Sequence, residues 1–386
     1  MKILKAFFLL LTLPLFIGLP FHVRNPTIEN VYPTFEDIHD SEPVEVIILN
    51  QMSLEEKVGQ LLIFGFYGTS LNADLQTFIT QNTVGGLLIL GRNITGESQL
   101  KKLITDTQSI SEIPLFISID QEGGTVARLG GNSLLTMPQS SMNTKEQAYD
   151  IALKRGKILK EYGINMNFAP VVEYVTQPTA FMIKRVFRGT KDDVVEKSNS
   201  AINGYTDSHI IPVPKHFPGH GDTPLDPHYK LPNVNIDADE WDSYIYTFKK
   251  VLENRNTKIL MVGHIQFPNI DNNTSTVSTE IITKRLKEDL GYEGIVLTDD
   301  MNMGAINKQD SYPNIAKQAL LAGNDILMYS KDINIQQSVY NTLIALVSSG
   351  EITTELLDEK VLKVLRLKID MGIVDPTPFL NDSELE

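Results

Sequence analysis

Eight short apolar runs leave this chain few folds to choose from. They are LLIFGF (61–66), GGLLIL (85–90), PLFISID (114–120), NMNFAPVVE (165–173), IIPVPKHF (210–217), KILMVGHI (258–265), GIVLTDD (294–300) and DILMY (325–329). Each is continuous rather than alternating, as a strand buried on both faces should be. Helical patterns such as SQLKKLITDTQSI and TEIITKRLKEDL lie between most of them. Strands that alternate with helices imply βαβ units and a parallel sheet, and about eight units in one domain predict an α/β fold of the (β/α)₈, TIM-like barrel class. A doubly wound open sheet is the second reading. No GxGxxG or P-loop sequence accompanies it, which favours the barrel.

The barrel is expected to be a single domain over 53–375, opening where Ser53 and Glu56 form a capping box and followed by a tail over 376–386. Ahead of it, Lys2 and Lys5 precede an apolar run broken by Pro14 and Pro20, the layout of a secretory signal. The run is short for a transmembrane helix and no small-x-small cleavage site follows it. Residues 1–26 are therefore expected to be a signal peptide or an uncleaved membrane anchor, the chain's only link to a membrane, and residues 27–52 a polar linker. The expected location is outside the cytoplasm, extracellular or associated with the cell wall. A chain without cysteine has no disulfide, thiolate zinc site, cysteine nucleophile or lipid-modified cysteine. The formal charge of −14 argues against a nucleic-acid partner, since phosphate binding draws on Lys and Arg.

Polar residues fall at the C-terminal ends of the apolar runs: Asp120, Glu173, Lys215 with His216, His264, and Asp299 with Asp300. In a barrel these ends converge on the face that carries active sites. The stretch KHFPGHGDTPLDPH (215–228) holds three of the seven histidines. His216 and His220 have a metal-like spacing, but Pro218, Gly219 and Gly221 oppose the helix that such a pair uses in zinc enzymes. A loop metal site, an acid/base group and structurally satisfied histidines all stay open for this segment. Asp226 and His228 form an Asp-x-His pair in a proline-constrained turn, in which the carboxylate accepts from one ring nitrogen and leaves the other for proton transfer. Asp299 reads as a carboxylate nucleophile with Asp300 in support, or both as caps of the following segment. Asp120 beside Arg128 reads as a clamp on sugar hydroxyls or as a structural ion pair.

KHFPGHGDTPLDPH, SIDQEGGTVARL and EGIVLTDDMNMGAI, with INMNFAPVVE, ALLAGNDILM and VLKVLRLKIDMG, resemble the bacterial β-N-acetylglucosaminidases of glycoside hydrolase family 3, NagZ type, over roughly residues 50–375. The resemblance implies that Asp299 is the nucleophile and His228, paired with Asp226, the acid/base. It further implies that Asp120, Arg128, Arg185, Lys215 and His216 hold N-acetylglucosamine. The activity implied is retaining removal of terminal β-linked N-acetylglucosamine from saccharides or muropeptides, with no metal or organic cofactor. A β-glucosidase-like or phosphorolytic enzyme, or a silent sugar-binding wall protein, are the alternatives. Ile183, Val186, Glu173 and Pro227 depart from the family pattern, and the chain's end at 386 leaves no room for the extra C-terminal domain of larger relatives.

Overall fold

The structure is a computed structural model that describes residues 42–380. The expected signal or anchor over 1–26 lies outside the described residues, among which no helix is long and apolar enough to cross a membrane.

All eight apolar runs form strands, here β1 (Leu62–Gly65), β2 (Gly86–Ile89), β3 (Phe116–Ile119), β4 (Met166–Asn167), β5 (Ile211–Pro212), β6 (Ile259–Val262), β7 (Ile295–Asp300) and β8 (Ile326–Tyr329). They are hydrogen-bonded in the order β5-β4-β3-β2-β1-β8-β7-β6, every pair parallel. The ring closes just after β5, where Phe217 N–H donates to the Met261 carbonyl (2.8 Å) and Gly263 N–H to that of Phe217 (2.9 Å). The nearly closed eight-stranded parallel barrel is thus the expected (β/α)₈ class. Its strands carry Leu62, Ile63, Phe116, Ile117, Ile259 and Leu297 at 0% exposure, which is why their apolar runs are unbroken.

One departure from the sequence reading concerns a boundary. The expected linker over 27–52 ends in a helix, α1 (Val44–Gln51), with Ile47, Ile48 and Leu49 buried. The compact unit accordingly starts at Glu42 rather than at the capping box. That box is nevertheless formed: Ser53 N–H donates to Glu56 Oε2 (2.6 Å) and Glu56 N–H to Ser53 Oγ (3.2 Å), opening α2 (Leu54–Gln60). The Asp226-x-His228 pair lies in a turn, as its proline predicts.

The barrel's lower end is closed by a polar residue. Helix α3 (Thr354–Asp370) brings Lys368 under the strands, wholly buried. Its Nζ donates to Gln60 Oε1 (2.7 Å) and lies 4.9 Å from the Phe116 ring centroid. Burial pushes this ammonium down to about 7.

Candidate active site

The loop after β3 is fixed before any charge is placed on it. Asn167 at the end of β4 accepts from Gln121 N–H (2.9 Å) and donates to the Gln121 carbonyl (3.1 Å). Buried Arg155, on the helix Lys145–Glu161, donates to the carbonyls of Glu122 (2.6 Å) and Met137 (2.7 Å). Gly123 has φ +92, and a Cβ there would stand 2.0 Å from the Met137 carbonyl oxygen, so glycine is required. This frame holds Asp120 and Glu122 at the C-terminal mouth.

From these two carboxylates runs a chain of charges of alternating sign. Asp120 pairs with Lys215 Nζ (2.7 Å) and Arg128 (3.1 Å). Lys215 also reaches Glu122 (2.6 Å), which receives two hydrogen bonds from Arg185 (2.7 and 2.9 Å). Arg185 then approaches His216 Nε2 (3.3 Å), and His216 Nδ1 meets Glu173 (2.8 Å). Glu173 in addition accepts from His220 N–H (2.6 Å) and contacts His220 Nδ1 (3.1 Å).

Burial works to raise the Asp120 and Glu122 carboxyls, but Lys215, Arg128 and Arg185 around Asp120, and Arg185 and Lys215 around Glu122, hold both below the ordinary range. Burial likewise raises Glu173, and the two histidines outweigh it. Burial pushes His216 down to about 4, so its ring is neutral near pH 7. A carboxylate can only accept, so the contacts to Glu173 place a proton on Nδ1 of both His216 and His220, and the neutral His216 ring leaves its Nε2 to accept from Arg185. Glu173, His216 and His220 have ligand atoms within 4.8 Å of one another, close enough for one metal ion. Each Nδ1 is already engaged by Glu173, so binding an ion through these atoms would require both protons to leave.

Asp299 stands across the mouth from this chain of charges. Its Oδ1 accepts from Asp300 N–H (2.7 Å), and neither carboxylate oxygen accepts from a side chain among the described residues. Burial raises its carboxyl, while His216, His264, the Asp300 N–H and Lys215 together keep it below the ordinary value. Asp300 turns away: it accepts from Ser330 N–H (2.9 Å), Ser330 Oγ and Asn302 N–H (3.0 Å), so it braces the loops after β7 and β8. Burial raises the Asp300 carboxyl. His264 sits beneath, its Nε2 donating to the Asp300 carbonyl (3.0 Å).

His228 is more than half exposed, with Nδ1 2.7 Å from Asp226 Oδ1 and its own N–H donating to the same oxygen (2.9 Å). Asp226 therefore holds Nδ1 and leaves Nε2 to the open side. The turn rests on the loop after β7, where Gly304 N–H donates to the His228 carbonyl (3.0 Å) and Ala305 N–H to that of Pro227 (3.1 Å). A Cβ on residue 304 would come within 2.7 Å of the His228 oxygen, so this close approach also requires glycine.

Residues 53–367 match the family model described as "Glycosyl hydrolase family 3 N terminal domain". The chain belongs to glycosyl hydrolase family 3. Among its relatives is "Beta-hexosaminidase A" of Pseudoalteromonas piscicida, 28% identical over 332 residues that make up 78% of this chain and 56% of that one. "Beta-hexosaminidase LpqI" of Mycobacterium tuberculosis is 28% identical, with 85% of each chain covered. A solved family 3 β-N-acetylglucosaminidase from Paenibacillus sp. str. FPU-7 superposes with TM-score 0.78 at 34% identity, covering 83% of this chain and 63% of that one. The chain thus spans about three-fifths of the length of two of these relatives.

Within this family 3 barrel the structure brings Asp120, Arg128, Arg185, Lys215 and His216 into one connected group. Asp299 stands apart from that group on β7, and Asp226 and His228 pair on a separate turn. The ion pair of Asp120 with Arg128 is formed, and so is a role for Asp300 in bracing neighbouring loops. Sequence reasoning missed Glu122, whose carboxylate joins Lys215 to Arg185. A signal was present in DQEGG: a charged residue two past a strand-end Asp and directly before two glycines. It noted Glu173 but gave it no task, because the two histidines it holds lie 43 and 47 residues away.

Proposed function

We propose that this family 3 chain is a retaining exo-β-N-acetylglucosaminidase. The observation that carries the reading is Asp299, partly buried, held ionised and, among the described residues, free of side-chain partners, facing a fixed array of donors and acceptors across the barrel mouth. Asp120, Arg128, Lys215, Arg185 and His216 hold the hydroxyls and acetamido group of the terminal sugar and place its anomeric carbon against Asp299. Asp299 attacks that carbon while His228 Nε2, protonated, delivers its proton to the departing oxygen, giving a covalent glycosyl-Asp299 intermediate. Water then enters, His228 takes a proton from it, its oxygen bonds to the anomeric carbon and the glycosyl–Asp299 bond breaks, with overall retention. Asp226 keeps Nδ1 engaged throughout and so fixes which ring nitrogen faces the leaving oxygen.

The relatives support the sugar specificity, since both the Pseudoalteromonas piscicida and the Mycobacterium tuberculosis proteins are beta-hexosaminidases. The further reading is that the sugar is taken from peptidoglycan fragments outside the cytoplasm, supported by the basic and apolar start of the sequence. The test is hydrolysis of aryl β-N-acetylglucosaminide against aryl β-glucoside by the purified protein. Preference for the N-acetyl substrate is the expected result; equal rates or none on both would refute the assignment.

A further inference from the structure

The strand that carries Asp299 is irregular at that residue. β7 pairs with β8 at Leu297–Ile326 and next at Asp300–Met328, three steps along one strand against two along the other. The extra residue makes a bulge around Thr298 and Asp299, and a bulge re-aims a side chain at the expense of ladder hydrogen bonds. Two side chains supply bonds there. Met328 N–H donates to Thr298 Oγ1 (3.0 Å), and the Asp300 carbonyl accepts from His264 Nε2 (3.0 Å).

The surroundings of His264 fix it for that bond. It follows β6 and is 0% exposed. A carbonyl only accepts, so Nε2 carries a proton. Burial pushes this imidazole below its ordinary value, with His220 adding to the effect and Asp299 and Asp300 opposing it, so the ring is neutral near pH 7. Nδ1 is then an acceptor, and the Thr276 hydroxyl at 2.6 Å donates to it. The Gly263 carbonyl, 3.0 Å from the same hydroxyl, accepts from Ser275 Oγ (2.6 Å). Both ring nitrogens are satisfied and a single tautomer is held.

What the ring grips is the backbone next to Asp299. The peptide after Asp300 is fastened at both ends, its carbonyl by His264 and its N–H, that of Met301, by the Met328 carbonyl (2.9 Å). On the other side of the same Cα, Asp300 N–H donates to Asp299 Oδ1 (2.7 Å). Among the described residues no side chain donates to the Asp299 carboxylate, so its direction depends on this stretch of backbone.

We propose that His264 is a positioning residue for the nucleophile: its Nε2–H locks the bulged backbone at Asp300, and through it aims the Asp299 carboxylate at the anomeric carbon. The proposal rests on the glycosidase reading given above and adds to it a residue outside the group that holds the sugar. Small errors in the placement of a reacting atom cost large factors in rate, which is what such a lock prevents.

The test uses two amides that each copy one ring nitrogen. The amide nitrogen of glutamine falls near the place of Nε2, so His264→Gln keeps a donor for the Asp300 carbonyl. That of asparagine falls near Nδ1, so His264→Asn keeps a partner for Thr276 and loses the donor. Both are assayed on dinitrophenyl β-N-acetylglucosaminide, whose leaving group needs no proton, so that kcat/KM reports attack by Asp299. The inhibition constant of N-acetylglucosamine reports the grip on the sugar. His264→Asn is expected to lower kcat/KM about 10²-fold and leave the inhibition constant within about twofold, while His264→Gln stays within about fivefold of wild type in both. A loss below about tenfold in His264→Asn, or an inhibition constant that rises in step with the loss, would overturn the positioning role. So would a loss beyond about fivefold in His264→Gln, which nearly preserves side-chain size and so carries the test by itself where the asparagine variant does not fold. Wild-type protein inert to this substrate would instead overturn the glycosidase reading and the positioning role with it.

Discussion

In the proposed mechanism two residues divide the chemistry, and their loss should be felt differently. Asp299 forms the bond to carbon, so Asp299→Asn is expected to cut turnover of every β-N-acetylglucosaminide by at least about 10³-fold, read by steady-state release of the aryl alcohol. His228 acts on the leaving oxygen, and its effect depends on how much help that oxygen needs. His228→Ala should lose about 10²-fold or more on a sugar leaving group and far less on a dinitrophenyl one. A loss independent of leaving group would remove His228 from the acid role. The Asp226/His228 contact was legible in the sequence because the two are near neighbours in the chain, and Asp299 stood out by its place at the end of an apolar run. Glu122 was not, because its partners Lys215 and Arg185 lie 93 and 63 residues away and meet it only after the barrel closes.

At the scale of elements, the eight strands were readable because burial on both faces forces continuous apolar runs. Helix α1 was not, because it follows a polar, proline-bearing stretch, although VEVIIL already held the residues it buries. Neither did the sequence single out Lys368, one of several lysines on an amphipathic helix. Its burial has a consequence for stability. An unfolded chain holds this proton up to the ordinary lysine value of 10.5, whereas the folded chain releases it at about 7. Between those values the unfolded state binds more protons, so this group makes stability rise with pH, by about 1.4 kcal/mol per unit where the slope is steepest. Below about pH 7 the fold bears the full cost of the buried ammonium. Lys368→Met should therefore be more stable than wild type at pH 6, with the difference shrinking or reversing by pH 9. Denaturant melts at the two pH values check it, and a pH-independent difference would refute the titration.

For the molecule as a whole, the compact unit from Glu42 carries the proposed nucleophile, the proposed acid/base pair and the cluster of Asp120, Arg128, Lys215, Arg185 and His216 together. A fragment starting at Glu42 should fold and turn over substrate. One starting at Ser53 should lose several kcal/mol of stability, since burying side chains such as Ile47, Ile48 and Leu49 contributes roughly 1.5–3 kcal/mol each. Equal denaturation midpoints for the two fragments would make α1 dispensable. The central claim is that the barrel works through a covalent sugar on Asp299. The most direct measurement is mass spectrometry of the protein, intact and as peptides, during reaction with a fluorinated N-acetylglucosaminide whose second step is slow. The account predicts one glycosyl mass added, mapped to the peptide that contains Asp299. Turnover with no protein adduct, or an adduct on another residue, would contradict it.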